Sequence, residues 1–391
     1  MRRARYPEAG PTGGPAARSS DRGRMAIDDP VEMIPFHVPD VPEVEPYLDD
    51  VRGILLSGRL VHGPYRDHLE DAFEAMLGGR AVAVANCSLG LIAALASLHE
   101  PGGEVIIPGF TYLATWQAVG WAGMVPVVAD VDDRGLLDPA AVSAAITPRT
   151  RAILAVHLLG NPADLVGLRA IADRAGVALV FDAAHALGAR WVDRPVGAGG
   201  DIEVFSLGPT KPIGSADGGI IVVNRPGLVD GIRRFALQGH EIGDLDCVGP
   251  GLNMTLGEMH AALALRSLPD IDRRLRRRAS LHATYRAAWS GLPLRLADPG
   301  SGERSAHKDE IVWLDDRAAR VPLRRHLASR GVETRPYYDP AIPDLTAFRG
   351  RVESADRSRD LAASGFAIPI HGRLTDANVG VITAAVQEYF G

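Results

Sequence analysis

The sequence predicts an α/β protein built on a mostly parallel sheet with helices on both faces. Three observations predict it. Short apolar runs at 81–85, 104–108, 125–129, 152–156 and 178–181 alternate with segments of helical period, the rhythm of repeated strand–helix–strand units. The runs are continuously apolar, as strands covered on both sides are. Chemically distinctive residues follow directly after them, at 86–88, 110–112, 182 and 206–211, where open α/β sheets hold their ligands.

Each element has a local reason. Residues 1–30 are rich in Arg, Gly, Pro, Ala and Ser without apolar periodicity and read as a disordered extension. They lack the apolar core of a secretory signal, and Met25 is a second candidate start. Residues 44–56 read as an amphipathic helix, broken by the Gly58–Gly63 segment, and 65–77 as a second. Strand 81–85 passes through Asn86, Cys87 and Ser88 into a helical run at 89–98. Helices at 139–145 and 164–175 separate later strands, and 220–223 forms a further strand after Gly219. A long Arg-rich amphipathic stretch at 256–289 links the large domain, 31–274, to a smaller α+β domain, 275–391. That domain has a strand at 310–314 and helices at 320–330 and 375–390.

Composition excludes several classes. The chain has 391 residues, 46% hydrophobic and 23% charged, with a formal net charge of −6. This is ordinary for a globular protein and gives no global basic field toward nucleic acid. The run Arg273–Arg278 reads as a solvated helix face or a set of ion pairs. Two cysteines, Cys87 and Cys247, are too few for a disulfide framework or a zinc site and suit a reducing cytoplasm. No apolar run reaches the roughly 18–20 residues of a membrane-spanning helix.

The chemistry concentrates between Val180 and Gly219. An apolar run ends on Asp182, a second ends on Ser206, and Lys211 follows in a Pro/Gly-rich loop. A lysine in a shaped, partly dry loop loses its proton readily and forms a Schiff base. An aspartate closing a buried strand pairs with a protonated ring nitrogen. Together they point to pyridoxal 5′-phosphate (PLP), with Lys211 on the aldehyde carbon and Asp182 on the pyridine nitrogen. Residue by residue, plainer roles compete. Asp182 also fits a helix cap, His185 a satisfied core histidine, Asn86 or Ser88 a cap, and Tyr112 a core aromatic.

Longer motifs follow in order: GRLVHGPYRDHLEDAFEAMLGGRAVAVANCSLGLIAAL, GGEVIIPGFTYLATWQAVGWAGMVPVVADVD, AVHLLGNPADL, VFDAAHALGA, FSLGPTKPIGSADGG, GLNMTLGEMHAAL and RGVETRPYYDP. In these the chain resembles the DegT/DnrJ/EryC1/StrS aminotransferases, of PLP fold type I. The resemblance covers nearly everything from Gly58 onward. It implies a large domain with a seven-stranded type of sheet and a small C-terminal domain. It assigns Lys211 as the cofactor's lysine, Asp182 to the ring nitrogen and His185 to the ring face and phenolic oxygen. Tyr112 would stack on the ring, and Cys87, Ser88 and Ser206 would hold the phosphate. Asn253 would reach the phosphate of a neighbouring subunit's cofactor, which implies a homodimer with shared sites. Cys87 stands where the family has glycine. Leu207, Ala216 and the Asn253-Met254-Thr255 run also depart from the family pattern, on what we expect to be the substrate side.

The resemblance implies transfer of an amino group from an amino acid, glutamate being expected, to a keto-sugar nucleotide or keto-cyclitol in amino-sugar or natural-product biosynthesis. Two other readings stay open here: another PLP reaction such as dehydration, which Lys211 argues against, and a non-enzymatic regulator on the same fold. Acceptor contacts are expected from the 239–248 loop, the 335–338 segment and the Tyr65 region. No nucleic-acid or membrane partner is expected.

Overall fold

Eight strands, in the order β1-β9-β8-β5-β4-β2-β3-β12, make the main sheet of the computed structural model. It describes residues 33–391 except Ile242 and Leu245, so the predicted extension at 1–30 lies outside the described residues. The elements run α1 (Val44–Ser57), α2 (Pro64–Leu77), β1 (Arg80–Val84), α3 (Cys87–Ala96), β2 (Glu104–Pro108), α4 (Leu113–Trp121), β3 (Val125–Ala129), α5 (Pro139–Ala145), β4 (Thr150–Val156), α6 (Leu165–Ala175) and β5 (Ala178–Asp182). A small hairpin, β6 (Arg190–Trp191) and β7 (Arg194–Pro195), precedes β8 (Ile202–Ser206), β9 (Gly219–Val223), α7 (Val229–Ala236), α8 (Glu258–Ser267) and α9 (Ile271–Ala288). The chain closes with β10 (Leu294–Leu296), β11 (Glu310–Leu314), α10 (Arg320–Ser329), β12 (Arg351–Val352), α11 (Asp356–Ser364), β13 (Gly365–Ile368) and α12 (Asp376–Phe390).

Only β9 runs against the others, antiparallel to both β1 and β8. The remaining neighbours pair in parallel, so the carboxyl ends of β1, β2, β4, β5 and β8 share one edge. Successive residues face opposite sides of a strand, and the burial follows that alternation. Val82, Val105, Ile107, Leu154, Val180 and Val204 pack under α3, α4 and α7. On the other face, Ala81, Phe205, Ile220 and Val222 meet α2 and α8, while Ile106, Ile153, Leu179 and Phe181 meet α5 and α6. Each fully buried Val, Ile, Leu or Phe contributes roughly 1.5–3 kcal/mol, so the sheet is fixed from both sides.

A second, antiparallel sheet of β10, β11 and β13 packs against α9, α10 and α12. Two expectations are refined. The stretch 256–289 is not one helix: Pro269 lies in a 3-10 turn between α8 and α9, because proline supplies no N–H to continue the ladder. The 274/275 position falls inside α9, whose Leu275 packs under the large sheet while Leu281 and Tyr285 pack on the small one. The eighth strand, β12, comes from the C-terminal region and adds in parallel to β3.

The basic run Arg273–Arg278 is also more than a solvated face. Arg273 pairs with Asp270 and Arg277 with Asp376, but Arg274 and Arg278 are buried. Arg274 donates to the Pro212 carbonyl at 3.1 Å. Arg278 Nη1 donates to the carbonyls of His307, Lys308 and Ile370 at 3.2, 3.0 and 2.7 Å. A guanidinium satisfies several carbonyls at once, which an apolar residue on the inward face cannot.

Candidate active site

Strand ends deliver the site. Cys87, Ser88, Tyr112, Asp182, His185, Ser206 and Lys211 line a single cavity of about 110 Å³, with Leu91, Thr111, Val156 and Leu158 among their neighbours. Asn253 lies elsewhere. It is exposed, bridges Leu237, and its Oδ1 accepts from the Thr255 N–H at 3.3 Å. A larger cavity, about 530 Å³, is lined by Met254, Thr255, Arg233, Arg234, Glu70 and Glu241 among others. Its charges pair with one another, Arg233 with Glu70 and Arg234 with Glu241, whereas the smaller cavity gathers a lysine and a carboxylate with no salt bridge between them.

The turn after β1 makes an anion cradle. Asn86 caps α3, its side chain accepting from the Leu89 N–H at 2.9 Å, so Cys87 and Ser88 open the helix with their N–H groups unused by the ladder. The backbone of Asn86–Cys87 presses on Gly219, where a Cβ would come within 2.7 Å of the Asn86 carbonyl carbon. Gly219 therefore leaves room for the turn, and Cys87 is accommodated without a glycine of its own. Burial first, and then the Asp182 charge, pushes the Cys87 thiol well above its ordinary range, so it stays neutral. Across the cavity the Gly208 N–H donates to Ser206 Oγ at 3.2 Å, which leaves the Ser206 hydroxyl proton to donate elsewhere.

Asp182 closes β5 and is 5% exposed. Thr115 Oγ1 donates to its Oδ2 at 2.8 Å and the Ala184 N–H to its Oδ1 at 3.1 Å. Burial raises its pKa despite those donors and the Lys211 and His157 charges. An anion there is costly until a cation arrives, and a protonated ring nitrogen is such a cation.

Lys211 sits in a turn closed by its N–H on the Gly208 carbonyl at 3.0 Å. Burial lowers the pKa of its amine, against the opposing pull of Asp309 and, less, of Asp182. His185 is held neutral, first by burial and then by the Lys211 charge. Its Nδ1 accepts the Leu159 N–H at 3.3 Å, so the ring proton is on Nε2. Leu159 achieves this in the left-handed region, at φ 59°, fully buried. Its carbonyl accepts from the Lys308 N–H at 2.8 Å. Next to it Gly160, at φ 100°, leaves no space for a side chain: a Cβ would lie 2.7 Å from the His307 nitrogen. Tyr112 stands at the mouth, 54% exposed, with its ring 6.4 Å from that of Tyr338.

Sequence reasoning missed Thr115 and Leu159. Thr115 had one visible signal, a threonine four residues after Thr111 on a mostly apolar helix, and the two hydroxyls lie 3.2 Å apart. Leu207, expected on the substrate side, is instead fully buried beneath α2 and α8. Its side chain packs in the core and does not line the cavity.

A model of the DegT/DnrJ/EryC1/StrS aminotransferase family matches residues 43–387. The chain belongs to the DegT/DnrJ/EryC1/StrS aminotransferase family. Within it, the dTDP-3-amino-3,4,6-trideoxy-alpha-D-glucose transaminase of Streptomyces venezuelae is 36% identical over 353 residues, covering 86% of this chain and 90% of that protein. The erythromycin biosynthesis sensory transduction protein EryC1 of Saccharopolyspora erythraea is 37% identical over 343 residues, 83% of this chain and 90% of that protein. Among solved structures, S. venezuelae DesV in complex with a ketimine intermediate superposes with a TM-score of 0.84 at 34% identity, over 90% of this chain and 99% of that one. DesI in the presence of its TDP-sugar product gives 0.84 at 33% identity, over 92% and 93%. This member of the DegT/DnrJ/EryC1/StrS family is an aminotransferase. None of its described helices is long and apolar enough to cross a membrane.

Proposed function

We propose that this aminotransferase binds PLP in the strand-end cavity and moves an amino group from an amino-acid donor, with glutamate expected, to the keto group of a nucleotide-linked sugar. The observation that carries the reading is that Lys211 and Asp182 line one cavity with the α3 N-terminus. The sugar acceptor is supported by the likeness to DesV and DesI, each above 30% identical.

PLP, once bound, supplies an aldehyde carbon that amines condense with and a ring that accepts electrons. The chain's own residues do the rest. The free N–H groups at the start of α3, with the hydroxyls of Ser88 and Ser206, suit a phosphate. Asp182, oriented by Thr115, offers its carboxylate to the ring nitrogen. His185 presents Nε2–H as a donor, with its tautomer set by Leu159. Tyr112 offers a flat apolar face at the mouth. Lys211, with its amine depressed by burial, has more of the neutral form that attacks a carbonyl carbon and carries protons near it. Asn253 touches none of these, and we propose that it serves the cavity of a second copy in a homodimer.

The test is direct. PLP added to the purified chain should give an absorbance band at roughly 410–430 nm, and borohydride should fix the cofactor's mass on the Lys211 peptide. Lys211→Ala should abolish both. A chain that takes up no PLP overturns the reading. Glutamate should then bleach the band with release of 2-oxoglutarate, and a keto-sugar nucleotide should appear aminated by mass.

A further inference from the structure

Where α9 meets the start of β11, three side chains that the reaction above does not use converge. His282 comes from α9, Glu310 opens β11, and His307 lies in the segment between β10 and β11. They are 7%, 1% and 7% exposed, in that order. Each offers one ligand atom, and those three atoms lie within 4.8 Å of one another. The two imidazole rings are 4.4 Å apart, centre to centre. Hydrogen bonds satisfy only part of the group. His282 Nδ1 lies 2.7 Å from Glu310 Oε2, and its Nε2 lies 3.0 Å from Asp298 Oδ1. Glu310 Oε1 is buried with no hydrogen-bond partner. His307 bonds through its backbone, to Ser305 Oγ and Arg278, and its ring makes no hydrogen bond among the described residues. Burying an unpartnered imidazole beside an unpartnered carboxylate oxygen is costly, and a cation between them would satisfy both.

We propose that His282, His307 and Glu310 form a binding site for a divalent transition-metal ion of the Zn²⁺ type, with Asp298 holding His282 from outside. Two imidazoles and a carboxylate suit such an ion, whereas Ca²⁺ and Mg²⁺ call for oxygen donors. With Nδ1 of His282 on the ion, its Nε2–H donates to Asp298, the pairing that orients metal-bound histidines. A tetrahedral ion with bonds of about 2.0–2.1 Å sets its ligand atoms roughly 3.3 Å apart, so the three side chains close inward by rotation on binding. The His307 lone pair is available: burial, then the His282 and Arg278 charges, push its pKa down to about 3. Arg278, the fixed cation that would oppose the ion, is paired with Asp40 at 3.8 Å and donates to three carbonyls. The Asp298 side chain is 44% exposed and marks the way in. No cysteine takes part, so the count of two does not bear on this site. A bound ion would pin α9 to β11 and to the segment whose Ala306 and Lys308 N–H groups donate to Gly160 and Leu159.

The full chain, first dialysed against a chelator, provides the test. Zn²⁺ is titrated in competition with a chromogenic chelator, and one tight equivalent per chain is expected. Zn²⁺ should also raise the thermal midpoint, since it binds the folded chain. Asp298→Ala should weaken the binding by about ten- to a hundredfold, and His307→Ala or Glu310→Gln by more. No tight equivalent in the parent chain overturns the proposal. So does an equivalent that His307→Ala and Glu310→Gln keep at the parental affinity. If those buried variants do not fold, Asp298→Ala, at a half-exposed position, decides: an unchanged affinity overturns the site. The outcome does not depend on whether the chain takes up PLP.

Discussion

Thr115 Oγ1 donates its proton to Asp182 Oδ2 at 2.8 Å, from the third residue of α4 to the last of β5. This bond fixes the carboxylate's orientation together with the Ala184 N–H on the other oxygen, and favours the ionised form. Thr115→Val keeps the shape and removes the donor. A hydrogen bond to a charged group is worth roughly 1.5–3 kcal/mol. We expect kcat/KM to fall by about tenfold or more. Losing the donor raises the Asp182 pKa further, so the acid limb of the pH profile should move to higher pH. Steady-state kinetics across pH checks both, and an unmoved acid limb would contradict the assignment.

His185 should remain neutral below its ordinary value of 6.5, since burial and the Lys211 charge both lower its pKa. Nitrogen-15 spectra of the histidine-labelled chain should show the Nε2–H tautomer, with Nδ1 as an acceptor. An imidazolium at pH 6.5 would refute the Leu159 contact as the ring's determinant.

Arg278→Leu orphans three carbonyls at once, those of His307, Lys308 and Ile370. Unsatisfied buried acceptors cost roughly 1–3 kcal/mol each, so the variant should lose about 3 kcal/mol or more. Arg276, on the same helix but exposed, should tolerate alanine within about 0.5 kcal/mol. Urea midpoints of the two variants make the comparison, and equal losses would show that the inward guanidinium is not special.

Asp130 ties the end of β3 to α11. It accepts from the backbone N–H groups of Arg357 and Ser358 at 2.9 and 2.8 Å and from Ser358 Oγ at 2.8 Å. Burial raises its pKa, but these bonds outweigh it and the net shift is downward from 3.8. A carboxyl depressed on folding stabilises above its unfolded pKa and loses that contribution as pH falls through the folded one. Stability should therefore decline below pH 3.8, and Asp130→Asn should remove that part of the slope. Urea midpoints at about pH 6 and about pH 3 are the measurement, and identical slopes in parent and variant would count against the cap.

Strands at 104–108 and 125–129 were legible because short apolar runs follow closely on glycines. The reversed direction of β9 was not, since burial on both faces looks the same whichever way a strand runs. β12 was invisible for another reason: two residues carry no period. Most of the site was readable because strand ends concentrate polar residues in short motifs. What escaped were groups that act at a distance in sequence. Thr115 joins the site only through the pairing of elements, and Leu159 acts through its backbone, which no side-chain pattern records. The departure at Leu207 was misplaced because alternation along β8 sends it into the core.

β12 has a consequence for synthesis. It covers β3, which would otherwise be the bare margin of the large sheet, and the Glu353 N–H continues the pairing to the Val128 carbonyl at 2.9 Å. Unpaired strand margins invite other chains. A ribosome that has not yet released the region beyond Val352 therefore holds a nearly finished sheet with an open, adhesive side. The nascent protein becomes safe from its neighbours only when its own last stretch arrives.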